Sequence, residues 1–129
     1  YQDVAVPAIV AAARKAFANV RPLSVEFSGI DHFPNEMLVL WARPTDERVL
    51  KRIHRAIHGE IDPALCHEHY RPDRWQPHCT VAMKIPASAA ERALAWAKAT
   101  PAGFTLVFDV VDCVSFPPVE IINEVKLLP

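Results

Sequence analysis

The sequence contains no uninterrupted apolar run near the ~20 residues that a membrane-spanning helix requires. Its opening Tyr1-Gln2-Asp3 lacks the basic start of a secretory signal and leads instead into a helical pattern. Half of the chain, 51%, is nonetheless hydrophobic, which over 129 residues is enough to form a sizeable core in one domain. The composition therefore predicts a single domain over residues 1–129, with neither a membrane segment nor a secretory signal.

The chain also lacks an excess of positive charge. Its 14 basic and 15 acidic residues give a formal net charge of −1. A protein that binds long duplex nucleic acid needs a broad basic surface, which this balance argues against. A small phosphorylated ligand, or the end of an RNA, is compatible with it.

Paired cysteines are absent as well. Cys66, Cys79 and Cys113 form no Cys-x-x-Cys motif, so we predict reduced thiols in a cytoplasmic protein. The run Cys66-His67-Glu68-His69 suggests zinc, yet its spacing fits none of the usual ligand arrangements. We therefore predict no metal, and a zinc-binding interaction domain over residues 66–79 is the least favoured alternative.

The hydrophobic pattern predicts an alternation of helices and strands, without a linker long enough to divide domains. Asp3, Thr45 and the capping box Ser88–Glu91 are predicted helix starts. The order is helix, two strands, helix, strand, helix, two strands, which is an α+β pattern whose halves look alike. The predicted helices cover residues 3–18, about four turns after Thr45, and 88 to near 101, and the predicted strands cover 23–30, 36–42, the His78 region, 104–116 and 120–128. Residues 29–35 are a predicted turn between the first two strands, and residues 59–76 are a predicted irregular loop.

One short motif contains the residues that indicate a chemical function. His78 and Thr80 are two residues apart on a predicted strand, so their side chains point to the same face. The imidazole can move a proton near neutral pH, and the hydroxyl can donate to an anionic oxygen. This pairing suits phosphoryl chemistry. A reaction that requires an acid and a base at once would need a second proton-transferring group beside His78.

The run Pro77-His78-Cys79-Thr80-Val81-Ala82, together with the order of elements, resembles the 2H phosphoesterase superfamily of RNA 2′–5′ ligase-like proteins and cyclic phosphodiesterases. The similarity extends over essentially the whole chain, including the run from Gly29 to Pro34. It implies a two-lobed, pseudo-twofold α+β fold with antiparallel sheets lining a cleft and helices outside. It also implies one His-x-Thr/Ser motif in each lobe.

By that resemblance His78 and Thr80 are the second motif, and they are the implied catalytic residues. No other histidine in the sequence has Thr or Ser two positions later. The resemblance therefore predicts a first strand and first motif upstream of Tyr1, in an N-terminally truncated chain. Family members often carry an arginine shortly after the second motif, where this sequence has Met83 and Lys84. Lys84 supplies a charge without the planar fork of arginine.

The resemblance implies a phosphoesterase that acts on a 2′,3′-cyclic phosphate or a 2′–5′ phosphodiester in RNA ends or small nucleotides, without metal or other cofactor, in the direction of either hydrolysis or ligation. Two imidazoles would divide the work of acid and base, and the sequence does not say which role His78 takes. Arg74 and Lys84 are predicted to bind phosphate, and Tyr70 and Trp75 to stack on a base. No oligomeric state is predicted.

The main alternative is a non-catalytic module that binds a nucleotide or RNA end and has lost one histidine. Hydrolysis, as opposed to saturable binding alone, would separate the two. Elsewhere, His54 and His58 are four residues apart on the second predicted helix and share a side. Among their basic neighbours they are predicted to form a solvated helix face.

Overall fold

The computed structural model describes residues 1, 3–34, 36–101 and 103–128. Helices and strands alternate along the chain, which confirms the predicted α+β class. The segment between the second helix and the third strand contains 3₁₀ turns at Pro63–Leu65 and Glu68–Tyr70. The regular elements are α1 Val6–Phe17, β1 Leu23–Phe33, β2 Leu38–Pro44, α2 Arg48–His58, β3 Cys79–Ile85, α3 Ala87–Ala99, β4 Gly103–Phe108, β5 Val110–Ser115 and β6 Glu120–Lys126.

The chain divides into two compact units. The sheet unit comprises Ser24–Glu47 and Pro77–Leu106, and it contains β2, β3, α3 and most of β1 and β4. The hairpin unit comprises Tyr1–Leu23, Arg48–Gln76 and Val107–Pro129, and it contains α1, α2, β5 and β6. No helix among the described residues is both long and apolar enough to cross a membrane.

The sheet unit is built on a four-stranded sheet with the order β3-β2-β1-β4. β2 pairs antiparallel with β1 on one side and with β3 on the other, which confirms the predicted pairing of the first two strands. α3 packs on one face of this sheet because its alanine-rich side allows close approach. The resulting core consists of Leu38, Leu40 and Ala97, with Ile30, Ala82, Ile85, Ala90 and Ala93 packed against it.

An irregularity in β1 decides which of its side chains share a face. Phe27 pairs with Pro44, whereas Ile30 pairs with Ala42, so β1 has one residue more than β2 in this interval. Gly29 lies within the bulge at φ 72°, a left-handed conformation that glycine adopts without steric strain. The extra residue reverses the alternation, so Phe27 and Ile30 lie on the face covered by α3, and Asp31 lies on the opposite face.

β3 carries two similar irregularities. Leu40 pairs with Ala82 and the next residue, Trp41, pairs with Thr80, so Val81 is the additional residue. A second shift lies between the pairs Leu38–Ile85 and Leu40–Ala82. As a result Ala82 and Ile85 both face α3, while Thr80 faces away from it.

The hairpin unit combines two helices with a two-stranded antiparallel sheet. α1 packs against α2 and against β6, and β5 pairs with β6 from Val110–Lys126 to Ser115–Glu120. On the surface, Arg14 donates to the side-chain oxygen of Asn123 at 3.1 Å, and Lys15 forms an ion pair with Glu60 at 2.8 Å.

Each predicted helix start is wrong, because the residue expected to cap the helix does not occupy its N-cap position. Asp3 has φ 58° and α1 begins at Val6, with Ala5 as N-cap and a proline at the helix start. The backbone N–H of Thr45 donates to the carbonyl of Glu26 in β1 at 2.8 Å, so this residue is held against the sheet just after β2 ends, and α2 begins at Arg48. α3 begins at Ala87, which leaves Ser88 inside its first turn and excludes the capping box.

Two predicted segments also differ from the structure. The strand predicted over 104–116 is divided at Asp109, whose carbonyl accepts the N–H of Leu127 at 2.8 Å as the chain passes from β4 into the β5–β6 hairpin. The turn predicted over 29–35 is largely strand, because β1 continues to Phe33. Asn35, the last residue of that turn, lies outside the described residues.

We expect Gly29→Ala to lower the free energy of unfolding by about 1–2 kcal/mol, since alanine is strained in the left-handed conformation. Gly103→Ala is the matched control. A Cβ at either glycine meets no atom within 4 Å, and only Gly29 has a left-handed φ. Urea unfolding of both variants measures the difference, and equal losses at the two positions would contradict the role given to the bulge.

Candidate functional site

The His-x-Thr motif lies on the face of the sheet unit opposite α3. Thr80 pairs with Trp41 across β2 and β3, and both His78 and Thr80 are exposed. Leu40 and Trp41 are consecutive in β2, so they point to opposite faces, and Leu40 belongs to the core under α3. Thr80 and Trp41 therefore share the face opposite α3, which we call the motif face.

An aromatic cluster fixes the position of the His78 ring on the motif face. Phe33 stacks on Trp41 with ring centroids 5.1 Å apart. The His78 ring meets Phe33 edge-on at 4.9 Å and Trp41 at 5.9 Å. Edge-to-face contacts of this kind are worth about 0.5–1.5 kcal/mol beyond area burial. The imidazole is thus held against an apolar wall while part of it stays accessible to solvent.

A charged pair lies on the same face. Asp31 pairs with Trp41 in the β1–β2 register, and its Oδ2 accepts a hydrogen bond from Nη2 of Arg43 at 3.0 Å. The second carboxylate oxygen accepts the backbone N–H of His32 at 2.8 Å. Both side chains are partly exposed, so the ion pair adds only about 0–1 kcal/mol to folding.

Lys84, the predicted phosphate ligand after the motif, is exposed and has φ 58°. It belongs to the second irregular stretch of β3, four residues beyond Thr80. A regular strand rises about 3.3 Å per residue, so the two residues are separated by roughly 13 Å of strand. The role of Lys84 in substrate binding stays a prediction.

The other predicted ligands, Tyr70, Arg74 and Trp75, belong to the hairpin unit, whereas the motif belongs to the sheet unit. Arg74 forms an ion pair with Glu68 at 3.4 Å, and Tyr70 is exposed. Trp75 stacks almost parallel on His54, with ring centroids 4.1 Å apart and planes 7° apart. One face of this indole is therefore already covered. The assignment of these residues as substrate ligands stays a prediction.

His54 and His58 do not form the solvated helix face that the sequence suggested, because the 59–76 segment folds back onto α2. His58 is buried, and its Nε2 lies 3.1 Å from the backbone carbonyl of Tyr70. A carbonyl only accepts, so Nε2 carries the proton and Nδ1 accepts from the Tyr1 hydroxyl at 3.0 Å. Burial and the nearby Cys66 raise the pKa of Tyr1 to about 12, which keeps this hydroxyl protonated.

The same packing keeps both histidines neutral. Burial, followed by the proximity of His58, lowers the pKa of His54 to about 4. Burial also lowers the pKa of His58, although the Tyr70 carbonyl acts in the opposite direction. Each ring occupies a defined place between α2 and the segment after it, so these histidines anchor that segment. The sequence signal for this was the Trp75 and Tyr70 pair, which could cover the helix.

A cavity of about 880 Å³ lies in the hairpin unit, and all its lining residues belong to that unit. Its lining combines His67, His69 and Tyr70 with apolar residues of α1, β5, β6 and the turn between these two strands. Phe116 and Val119 of that turn are largely exposed. This cavity could not be predicted from the sequence, because its wall depends on the pairing of β5 with β6.

The Cys66–His69 run belongs to the hairpin unit, whereas His78 belongs to the sheet unit. All three cysteines are free thiols. In the part of the chain that the structure describes, no group of three or more His, Cys, Asp or Glu side chains is arranged to hold a metal ion.

An α+β chain with its His-x-Thr motif on one face of an antiparallel sheet fits the fold that the resemblance to 2H phosphoesterases implied. The family model described as the 2′-5′ RNA ligase superfamily matches residues 1–113, and the chain belongs to that superfamily. A search among curated proteins finds no match. Superfamily membership confirms the resemblance seen in the sequence. It does not identify the substrate.

The low pKa of His54 makes stability depend on pH. Since the unfolded side chain titrates near 6.5, the unfolded state binds more protons between about pH 6.5 and 4, and the stability contributed by neutral His54 is lost as pH falls through that window. After allowance for solvent screening, we expect a loss of roughly 1 kcal/mol.

Urea unfolding at a series of pH values measures this loss. His54→Gln removes the titration, and we expect its stability to fall less steeply between those pH values than that of the unsubstituted protein. His69→Gln is the control at an exposed histidine and should keep the original slope. Parallel curves for all three proteins would contradict the account of His54.

Proposed function

We propose that this protein is a phosphoesterase that opens a 2′,3′-cyclic phosphate, or cleaves a 2′–5′ phosphodiester, at RNA ends or in small nucleotides. The observation that carries the proposal is the placement of His78 and Thr80 side by side on the motif face. His78 is held by the rings of Phe33 and Trp41 but stays accessible. A reacting phosphate can therefore meet the imidazole and the hydroxyl together.

The reaction needs two proton transfers. Water adds to phosphorus as a base removes one of its protons, the bond from phosphorus to one ribose oxygen breaks, and an acid protonates that oxygen. His78 performs one of these transfers, and each positioned imidazole contributes about 10²–10⁴-fold. Its counterpart, in the family pattern, is the histidine of the first motif. This chemistry proceeds without a metal ion or other cofactor.

Thr80 has a separate role. Its hydroxyl donates to a non-bridging phosphate oxygen, whose negative charge increases as water adds to phosphorus. A donor that is already in place at that oxygen stabilises the transition state more than the ground state. The pairing of Thr80 with Trp41, a buried residue of the central strand, supports this role because it fixes the backbone that carries the hydroxyl.

A binding module for a nucleotide or RNA end is the second candidate function. It is favoured by one observation, that His78 is the only histidine of the sequence in a His-x-Thr or His-x-Ser context. Such a module would use Thr80 and the imidazole as ligand contacts and would bind a cyclic nucleotide saturably without hydrolysing it. Free thiols at all three cysteines support a reducing, cytoplasmic location for either function.

Substitution of the two motif residues tests the enzyme proposal. For hydrolysis of a 2′,3′-cyclic nucleotide by the full-length protein, we expect His78→Ala to lower kcat/KM by at least ~10²-fold. Thr80→Val should lower it by about 10²-fold, because the phosphate loses a donor. Thr105→Val makes the same change at an exposed position of β4 and should leave kcat/KM unaltered.

Two results would contradict the proposal. Undiminished hydrolysis by His78→Ala would remove His78 from the reaction. Saturable binding of the cyclic nucleotide by the unsubstituted protein, without any product, would identify the binding module instead.

A further inference from the structure

Arg43 lies beside the motif, although no role was predicted for it from the sequence. Trp41 pairs with Thr80 and Ala42 pairs with Cys79. The next residue of β2 is Arg43, and the residue that precedes Cys79 is His78. Continuing the antiparallel register by one residue therefore sets Arg43 opposite His78. Cross-strand neighbours on one face have Cβ atoms about 4.5–5.5 Å apart, so the guanidinium starts from a position next to the imidazole.

The side chain of Arg43 lies near His78, and an ion pair also sets its orientation. Its Nη2 donates to Asp31 Oδ2 at 3.0 Å, and Asp31 lies on the motif face because of the Gly29 bulge. The Arg43 side chain is nevertheless 53% exposed, so a ligand can reach it. The ion pair thus holds the guanidinium on the motif face instead of leaving a long flexible side chain in solvent.

The position of Arg43 also bears on the arginine that is missing after the motif. Met83 and Lys84 stand where the resemblance leads one to expect an arginine, and Lys84 lies four residues along β3 from Thr80. Arg43 reaches the motif from the neighbouring strand instead. A guanidinium offers several N–H groups in a plane, which match two phosphate oxygens at once in a way that an ammonium group cannot.

We propose that Arg43 binds the substrate phosphate beside His78 and Thr80, and thereby replaces the arginine that is absent from β3. The proposal rests on the phosphoesterase or nucleotide-binding function given above, and it names the cation of that same site. In this arrangement Thr80 donates to one non-bridging oxygen, Arg43 neutralises the phosphate charge, and His78 transfers a proton. Asp31 is a positioning residue for the guanidinium.

The test uses inorganic phosphate as the probe and the full-length protein. Phosphate is titrated while the ring resonances of His78, assigned by their loss in His78→Ala, are followed by NMR. We expect Arg43→Met, which keeps the length of the side chain and removes its charge, to weaken phosphate binding by at least about tenfold. Arg43→Lys should weaken it by about threefold, since it keeps the charge without the fork.

Arg92→Met is the matched control. Arg92 is an exposed residue of α3, and α3 covers the opposite face of the sheet. The phosphate affinity of Arg92→Met should equal that of the unsubstituted protein. Thermal unfolding of each variant shows whether the substitution has damaged the fold, and Arg43→Lys decides the question should Arg43→Met fail to fold.

The results separate this proposal from the function on which it rests. Phosphate binding that is unchanged in Arg43→Met, or absent from the unsubstituted protein, would overturn the role of Arg43. Hydrolysis that continues with an unchanged KM in Arg43→Met would overturn it too, while leaving the enzyme proposal intact. Arg43-dependent phosphate binding without any hydrolysis would support the anion site and exclude the enzyme.

Discussion

The motif face depends on how the central strand β2 pairs with its two neighbours. β2 is buried along most of its length, with Leu40 and Ala42 on the side of α3 and Trp41 on the other. Both neighbours must therefore present apolar residues to the α3 side of β2, and they do so with one additional residue in β1 and two in β3. The Gly29 bulge turns Asp31 toward the motif face, and the additional residue Val81 lets Ala82 face α3 while Thr80 faces away. A shift of one residue in either pairing would exchange polar and apolar positions, so the core and the site are fixed by the same hydrogen bonds.

The sequence predicted the parts of the site that depend on local alternation. His78 and Thr80 could be placed on one face because they are two residues apart, and the pairing of β1 with β2 followed from their patterns. Asp31 could not be joined to them, because alternation counted through residues 27–31 gives the wrong face once a bulge intervenes. Arg43 could not be joined either, because its place beside the motif depends on the register between β2 and β3. Gly29 was the only local sign of that bulge. The capping signals at Asp3, Thr45 and Ser88 failed because tertiary hydrogen bonds and prolines set the helix starts.

Packing places His54 and His58 in a different environment from His78. His54 and His58 are enclosed by Trp75, Tyr1 and the Tyr70 carbonyl, and their lowered pKa values suit an anchoring function in which neither ring carries charge. His78 instead rests edge-on against two rings and keeps access to solvent. A ring that must give or take a proton needs that access, whereas a ring that anchors a segment is better without it. The hairpin unit thus uses histidine for structure, whereas His78 of the sheet unit is accessible for the proton transfer that we propose.

The most direct test of the central claim is to follow the phosphorus of a 2′,3′-cyclic nucleotide by ³¹P NMR, with full-length protein and a chelator in ¹⁸O-enriched water. The account predicts that the cyclic resonance disappears and that one monoester isomer forms, carrying a single ¹⁸O atom from the attacking water. A cyclic resonance that persists unchanged, or a product without solvent oxygen, would contradict hydrolysis at the motif face.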